Sequence, residues 1–332
     1  MAGGDVLEVE NLRVEFKTRG GIVPVIGGLS FSLGAGETLG IVGESGCGKS
    51  MTALAILRLV PSPPGRIAEG AIRILGDDIL TLDEQRVRAL RGNVVSIVFQ
   101  EPMSSLNPVF TVGEQIAETV RLHAGLDDRR ALTRAIEMLR AVGIPAPERR
   151  VREYPHQLSG GMLQRVMIAM ALVCEPALLI CDEPTTALDV TVQAQVLDLL
   201  RELQQRTGTA IILITHDMGV VAEMADRILV MYAGRKLEEG RTREILDAAV
   251  HPYTQSLIAC VPHLEAEPGP ERPPLVEIPG MVPSLAEVGE GCPFAPRCSR
   301  AEARCGEAMP GLSRFGSAHQ AACWVAAREA GR

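Results

Sequence analysis

Eight residues restrict this chain more than any other stretch of it: Gly43-Glu44-Ser45-Gly46-Cys47-Gly48-Lys49-Ser50. They fit the pattern G-x-x-x-x-G-K-[ST] and stand in the setting that gives the pattern its meaning. The apolar run Thr38 to Val42 precedes them, and a segment with helical spacing (Met51, Leu54, Ala55, Leu57, Arg58) follows. Strand, glycine turn and helix in that order make an anion cradle. The glycines let successive backbone N–H groups face phosphate oxygens, and the helix start adds its positive dipole end. Lys49 is placed to reach the β and γ phosphates of a nucleotide, and Ser50 to set its hydroxyl on Mg2+.

A second chemical feature lies downstream. Leu178-Leu179-Ile180-Cys181 is an apolar run that ends in two carboxylates, Asp182 and Glu183. Open α/β sheets carry their functional groups at such strand ends. Asp182 suits the Mg2+ shell, while Glu183 is placed to accept a proton from a water attacking the γ-phosphate.

The remaining pattern predicts a doubly wound α/β core. Leu7 to Phe16 alternates apolar and polar residues, as a half-exposed antiparallel strand does. Ala177 to Cys181 and Ala210 to Thr215 are short apolar runs separated by a helical stretch, Val190 to Thr207, which is the order of a βαβ unit. From about Pro102 to Val173 the pattern is helical, punctuated at Gly125, Gly143 and Pro145 to Pro147. Pro262, Pro268, Pro270, Pro273, Pro274, Pro279 and Pro283 crowd one segment and forbid a continuous helix there, so it reads as a linker. With 332 residues, the chain has room for one large domain and a smaller appendage, since single cores stop growing at ~250–300 residues.

Composition excludes several functions. With 33 basic against 41 acidic residues the net charge is −8, so there is no global basic field to hold a nucleic acid. Met1 to Phe16 lacks the basic start and apolar centre of a secretion signal, which predicts a cytoplasmic protein. The most apolar stretch, Val166 to Cys181, is broken by Glu175 and Pro176 and falls short of the roughly 20 residues that span a bilayer. Work at a membrane would need another chain to supply the channel. Of eight cysteines, Cys292, Cys298, Cys305 and Cys323 gather near the end. In a reducing compartment they read as metal ligands before disulfides. They lack the C-x-x-C pairs of a zinc ribbon, fit the four thiolates of a [4Fe–4S] cluster, and also fit a metal-free reduced tail.

Leu158-Ser159-Gly160-Gly161-Met162 resembles the signature of ATP-binding-cassette (ABC) proteins and lies upstream of Asp182-Glu183 at the distance that family shows. The resemblance covers about residues 6 to 320. It implies a P-loop ABC cassette over 6–260: a parallel sheet core, an antiparallel β subdomain and a helical subdomain at about 102–173. A Pro-rich linker and small cysteine-containing C-terminal region would follow over 261–332. It also implies roles. Gln100 resembles the glutamine that senses Mg2+ and touches the membrane subunit, and Ala187-Leu188-Asp189 the D-loop. His216 resembles the switch histidine that holds the γ-phosphate and catalytic water, and Phe16 the aromatic that stacks on adenine. Ser159, Gly160 and Gly161 would contact the γ-phosphate held by an opposite subunit.

Gln100-Glu101-Pro102-Met103-Ser104-Ser105-Leu106-Asn107-Pro108, Tyr154-Pro155-His156-Gln157 and His251-Pro252-Tyr253-Thr254 resemble the dipeptide and oligopeptide importer ATPases. Cys-Pro-Phe-Ala-Pro-Arg-Cys at 292–298 resembles the tail of those ATPases, some of which carry a [4Fe–4S] cluster. The partners so implied are a second, related ATPase, two transmembrane permease subunits and an extracytoplasmic substrate-binding protein, with this chain peripheral on the cytoplasmic membrane face. Import of nickel, glutathione or another small solute is the alternative. A non-transport ABC ATPase acting on DNA or ribosomes would need coiled-coil insertions or tandem cassettes, and neither is seen. Cys47 stands where a serine is more usual, which raises the expectation of an oxidation-sensitive nucleotide loop; Leu163 stands where relatives carry a basic residue.

Overall fold

Runs of Leu, Ile and Val broken by turn residues set out the strands of this protein, whose computed structural model describes residues 4–186, 188–261 and 277–331. In chain order the strands are β1 (Asp5–Thr18), β2 (Gly21–Gly34), β3 (Thr38–Val42), β4 (Gly65–Ile74), β5 (Asp77–Asp78) and β6 (Val95–Val98). Then come β7 (Leu178–Asp182), β8 (Ala210–Thr215), β9 (Arg227–Tyr232), β10 (Arg235–Arg241), β11 (Ser313–Arg314) and β12 (Gln320–Ala321). The chain divides into two compact units. One comprises Met1–Glu8, Ser32–Thr38 and Ile72–Ile214; the other comprises Val9–Phe31, Leu39–Ala71 and Thr215–Arg332.

In the first unit β6, β7 and β8 pair in parallel, with Val98 opposite Cys181 and Cys181 opposite Leu213. Every residue of β7 is buried. A strand covered on both faces must be apolar throughout, which is why these runs do not alternate. Five α-helices lie between β6 and β7: Pro102–Ser105, Val112–Ala124, Asp128–Ala141, Pro147–Arg150 and Gly160–Leu172. Their ends follow from local chemistry. Thr111 accepts from Glu114 N and Asp127 from Arg130 N as N-caps. Gly125 closes the second helix in the left-handed region, with φ 62°. Val112, Ile116 and Val120 bury one face of that helix, which packs on Asp128–Ala141 and on Gly160–Leu172. Asp189 caps the helix Val190–Thr207, and Gly208 ends it.

In the second unit β2, β1 and β4 neighbour one another in that order. β3 runs parallel to β9, and β9, β10, β12 and β11 continue antiparallel. Glu238 of β10 stands opposite Ala321, so the C-terminal residues extend this sheet. The same Glu238 is fully buried and stays satisfied: it accepts from Val250 N (2.7 Å) and His251 N (3.0 Å) and bonds His319 Nε2 (2.7 Å). Tyr232, Tyr253 and Phe294 form the aromatic centre of this unit, with the two tyrosine rings edge-on at 4.7 Å. Pro262, Pro268, Pro270, Pro273 and Pro274 lie outside the described residues; Pro279 and Pro283 lie in neither helix nor strand. Among the described residues no helix is long and apolar enough to cross a membrane.

Candidate functional site

The glycine turn belongs to the second unit and leaves β3 as its sequence requires. Gly43, Gly46 and Gly48 hold φ of 155°, 80° and 103°, backbone that side chains rarely adopt. At Gly43 a Cβ would lie 2.2 Å from Met231 O, so only glycine fits. Gly48 stands at the N-cap of the helix Lys49–Ile56 and brings no side-chain cap, which leaves that terminus suited to an anion. Lys49 is 5% exposed, and its ammonium donates to Gly43 O (2.7 Å) and Glu44 O (3.1 Å), which turns it inward across the loop. The loop is pinned from outside by Gly234 N on Cys47 O (2.9 Å) and by Glu44 N on Tyr253 Oη (2.9 Å).

Cys47 is fully buried, and burial raises its thiol pKa despite Lys49 nearby. A protonated, inaccessible thiol is a poor nucleophile. Burial therefore argues against ready oxidation of Cys47 in the folded loop, where its sulfur lies 3.9 Å from the Lys49 ammonium. Phe16 is half-buried, its ring against Gly65, and His216 is exposed immediately after β8.

The acidic pair ends β7 in the first unit. Asp182 is 8% exposed, and Glu183, one step on, takes a left-handed backbone with φ 49°. That conformation is strained for a residue other than glycine and turns the side chain off the strand line. Glu183 Oε2 accepts from Gln100 Nε2 at 3.2 Å and from Thr186 Oγ1 at 2.8 Å. Gln100 and Glu183, singled out separately in the sequence, are thus brought together. Thr186 was missed, since a hydroxyl three residues past a carboxylate looks like an ordinary turn. Gln115 was missed too; its buried amide holds Asn107 N, Asn107 O and Phe110 O and so shapes the loop after Gln100.

Ser159 caps the helix Gly160–Leu172 through Met162 N (3.4 Å). A Cβ on Gly161 would meet Val192 Cγ1 at 2.8 Å, whereas one on Gly160 would meet nothing within 4 Å. The first glycine of the pair faces open space, and the second permits helix packing. Asp189 accepts from Val192 N at 3.0 Å as a cap; Ala187 lies outside the described residues.

Cys292, Cys298, Cys305 and Cys323 are free thiols that line one cavity, together with Phe294 and Trp324. Cys292 N donates to Cys305 O at 2.8 Å, and burial pushes the Cys292 thiol up to about 11. Among the described residues no group of three or more His, Cys, Asp or Glu is arranged to hold a metal ion. Tyr253 and Arg297 stand within the family-like stretches 251–254 and 292–298, but nothing in the sequence pointed to their contact with Glu44.

The family model for the ABC transporter matches residues 26–186, and that for the oligopeptide/dipeptide transporter C-terminal region matches 237–305. The chain is 50% identical over 319 residues to a peptide ABC transporter ATP-binding protein of Sinorhizobium fredii, covering 96% of this chain and 94% of that one. It is 47% identical to the dipeptide transport ATP-binding protein DppD of Bacillus subtilis (96% and 94% covered) and 50% identical to the oligopeptide transport ATP-binding protein OppD of Salmonella typhimurium (98% and 95%). A dimeric ATP-binding cassette in a post-hydrolysis state with ADP and Pi superposes with TM-score 0.64 at 28% identity, covering 71% of this chain and 99% of that one. A cassette of the cbiONQ transporter from Clostridium perfringens gives 0.62 at 28%, covering 74% and 91%. The cassette fold, the phosphate loop with its inward lysine and these end-to-end similarities lead to one conclusion: the chain belongs to the ABC transporter ATPases, in the branch that carries the oligopeptide/dipeptide transporter C-terminal region.

Proposed function

We propose that this chain binds and hydrolyses ATP to energise the import of dipeptides or oligopeptides, working peripherally on the cytoplasmic face of the membrane. The cargo class rests on one observation, the similarity to peptide-transport ATPases along almost the whole chain, tail included. We assign the nucleotide-binding domain to 6–260, with a helical subdomain at about 102–173, and the linker and C-terminal region to 261–332.

In this reading the backbone N–H groups of Gly43 to Ser50 cradle the phosphates and Lys49 reaches the β and γ groups. Ser50 and Asp182, with Gln100, hold the Mg2+ that neutralises charge on the transferred phosphoryl group. Glu183 accepts the proton of the attacking water, so that water adds to the γ-phosphorus and ADP leaves. The hydrogen bonds from Gln100 and Thr186 aim that carboxylate. His216 holds the γ-phosphate, and Phe16 stacks on adenine. Ser159, Gly160, Gly161 and Asp189 complete the nucleotide site of a second, related cassette. Two permease subunits supply the channel, and an extracytoplasmic binding protein selects the cargo.

Cys292, Cys298, Cys305 and Cys323 would hold a [4Fe–4S] cluster, whose chemistry when bound is electron storage or structural bracing. The residue pattern of the tail carries this reading; the four free thiols line a single cavity but are not gathered as a ready-made metal site among the described residues. A cubane takes its cysteines one per iron, whereas zinc draws its ligands to ~2.3 Å around one ion. Anaerobic purification should yield brown protein with iron and acid-labile sulfide in equal amounts; zinc or no metal overturns the assignment.

The function is tested by uptake of a labelled dipeptide and tripeptide in cells deleted for this gene. Loss of peptide uptake, restored by the wild-type chain but not by Glu183→Gln, is expected. Intact peptide uptake with loss of nickel or glutathione uptake would move the assignment to that cargo.

A further inference from the structure

Glu44, second residue of the glycine turn, is gripped from the far end of the chain. Arg297 Nη1 donates to Glu44 Oε2 at 2.7 Å and Nη2 donates to Oε1 at 3.1 Å, a two-pronged pair between residues 253 positions apart. The rest of the guanidinium is equally committed: Nη1 to Tyr232 Oη (3.1 Å), Nη2 to Ile278 O (3.2 Å) and Nε to Pro279 O (2.8 Å). All five of its N–H directions therefore find acceptors. The Arg297 side chain is 5% exposed and that of Glu44 27%, so the pair lies in a setting where solvent screens it poorly. The Tyr232 and Phe294 rings flank the guanidinium at 5.8 and 6.0 Å.

A carboxylate in a loop built to receive phosphate is a liability. Unpaired, it repels the incoming anion and competes for Lys49, whose ammonium already bonds Glu44's own carbonyl at 3.1 Å. Arg297 neutralises that charge and draws it aside, and Tyr253 fixes the backbone of the same residue. We infer that Arg297 is a positioning residue for the phosphate loop, so that the C-terminal segment bearing it sets the affinity for nucleotide. The inference rests on Gly43 to Ser50 being the nucleotide loop.

The test is equilibrium titration of the full-length chain with a non-hydrolysable ATP analogue and Mg2+, alongside steady-state hydrolysis. Arg297→Gln should weaken binding about tenfold and raise KM for ATP with kcat within about threefold. Glu44→Gln combined with Arg297→Gln should recover affinity to within about threefold of wild type, because no carboxylate remains to be neutralised. Wild-type affinity in Arg297→Gln overturns the inference. So does a double variant as weak as the single one, since Arg297 would then act through Ile278 and Pro279 on the tail alone. Should Arg297→Gln fail to fold, Arg297→Lys keeps one charge without the fork: a loss of about threefold supports the inference, and no loss overturns it. Absence of binding by the wild type would instead refute the nucleotide loop itself.

Discussion

Gln100 Nε2 donates to Glu183 Oε2 across 3.2 Å, joining the end of β6 to the end of β7. The bond orients a carboxylate whose backbone is already twisted into the left-handed region. A proton acceptor, the role proposed for Glu183, works when its oxygen is held toward the proton it takes, and the amide and the Thr186 hydroxyl both bond that oxygen.

Glu183→Gln keeps an acceptor oxygen for both partners yet cannot take a proton. Turnover should fall by about two orders of magnitude or more, with ATP affinity within about threefold of wild type. Phosphate release and nucleotide titration measure the two. Gln100→Ala and Thr186→Ala each remove one support, and each should lower kcat by about tenfold.

Gly43→Ala pushes a methyl group to 2.2 Å from Met231 O. The carbonyl belongs to a buried strand and cannot retreat, so the loop must shift. A loss of about 2–4 kcal/mol of stability is expected, with ATP binding abolished. Urea denaturation and nucleotide titration check both.

Glu239 is buried, which alone would raise its pKa, but Lys236 (Nζ at 2.6 Å) and Arg227 outweigh burial and hold the carboxyl below its ordinary value. A folded-state pKa lower than the unfolded one contributes stability that is complete above the unfolded pKa and is lost as pH falls through the folded one. Glu239→Gln should therefore cost about 3 kcal/mol near neutral pH by taking the buried carboxylate away from Lys236 and Arg227. The difference from wild type should shrink below about pH 4. Urea unfolding of both proteins at pH 7 and pH 3.5 measures the change, and a constant difference would contradict the pairing.

Cys47 is buried, and burial raises its thiol pKa. Alkylation of the folded protein at neutral pH should modify the half-buried Cys174 and Cys260 before it. Cys47→Ser should retain ATP affinity within about threefold. Peptide mapping after labelling, with nucleotide titration, tests both.

Local chemistry made much of this molecule readable from its residues alone. β3 and β8 fall at Thr38–Val42 and Ala210–Thr215 as expected, because short, wholly apolar runs leave no choice but burial on both faces. The helix Val190–Thr207 is bracketed by Asp189 and Gly208, a cap and a stop that act within one turn. The glycine turn was legible for the same reason: its φ angles and its cation are specified within eight residues. Other features exist only once the chain is folded. Arg297 in a Pro-Arg-Cys tail and Glu44 in a glycine loop each look like solvated surface charges until folding sets them 2.7 Å apart. The pairing of Glu238 with Ala321 and the burial of Cys47 are likewise long-range. Periodicity and turn propensity report on neighbours in sequence; a contact between distant segments leaves no repeating mark, since either partner alone satisfies its local rules.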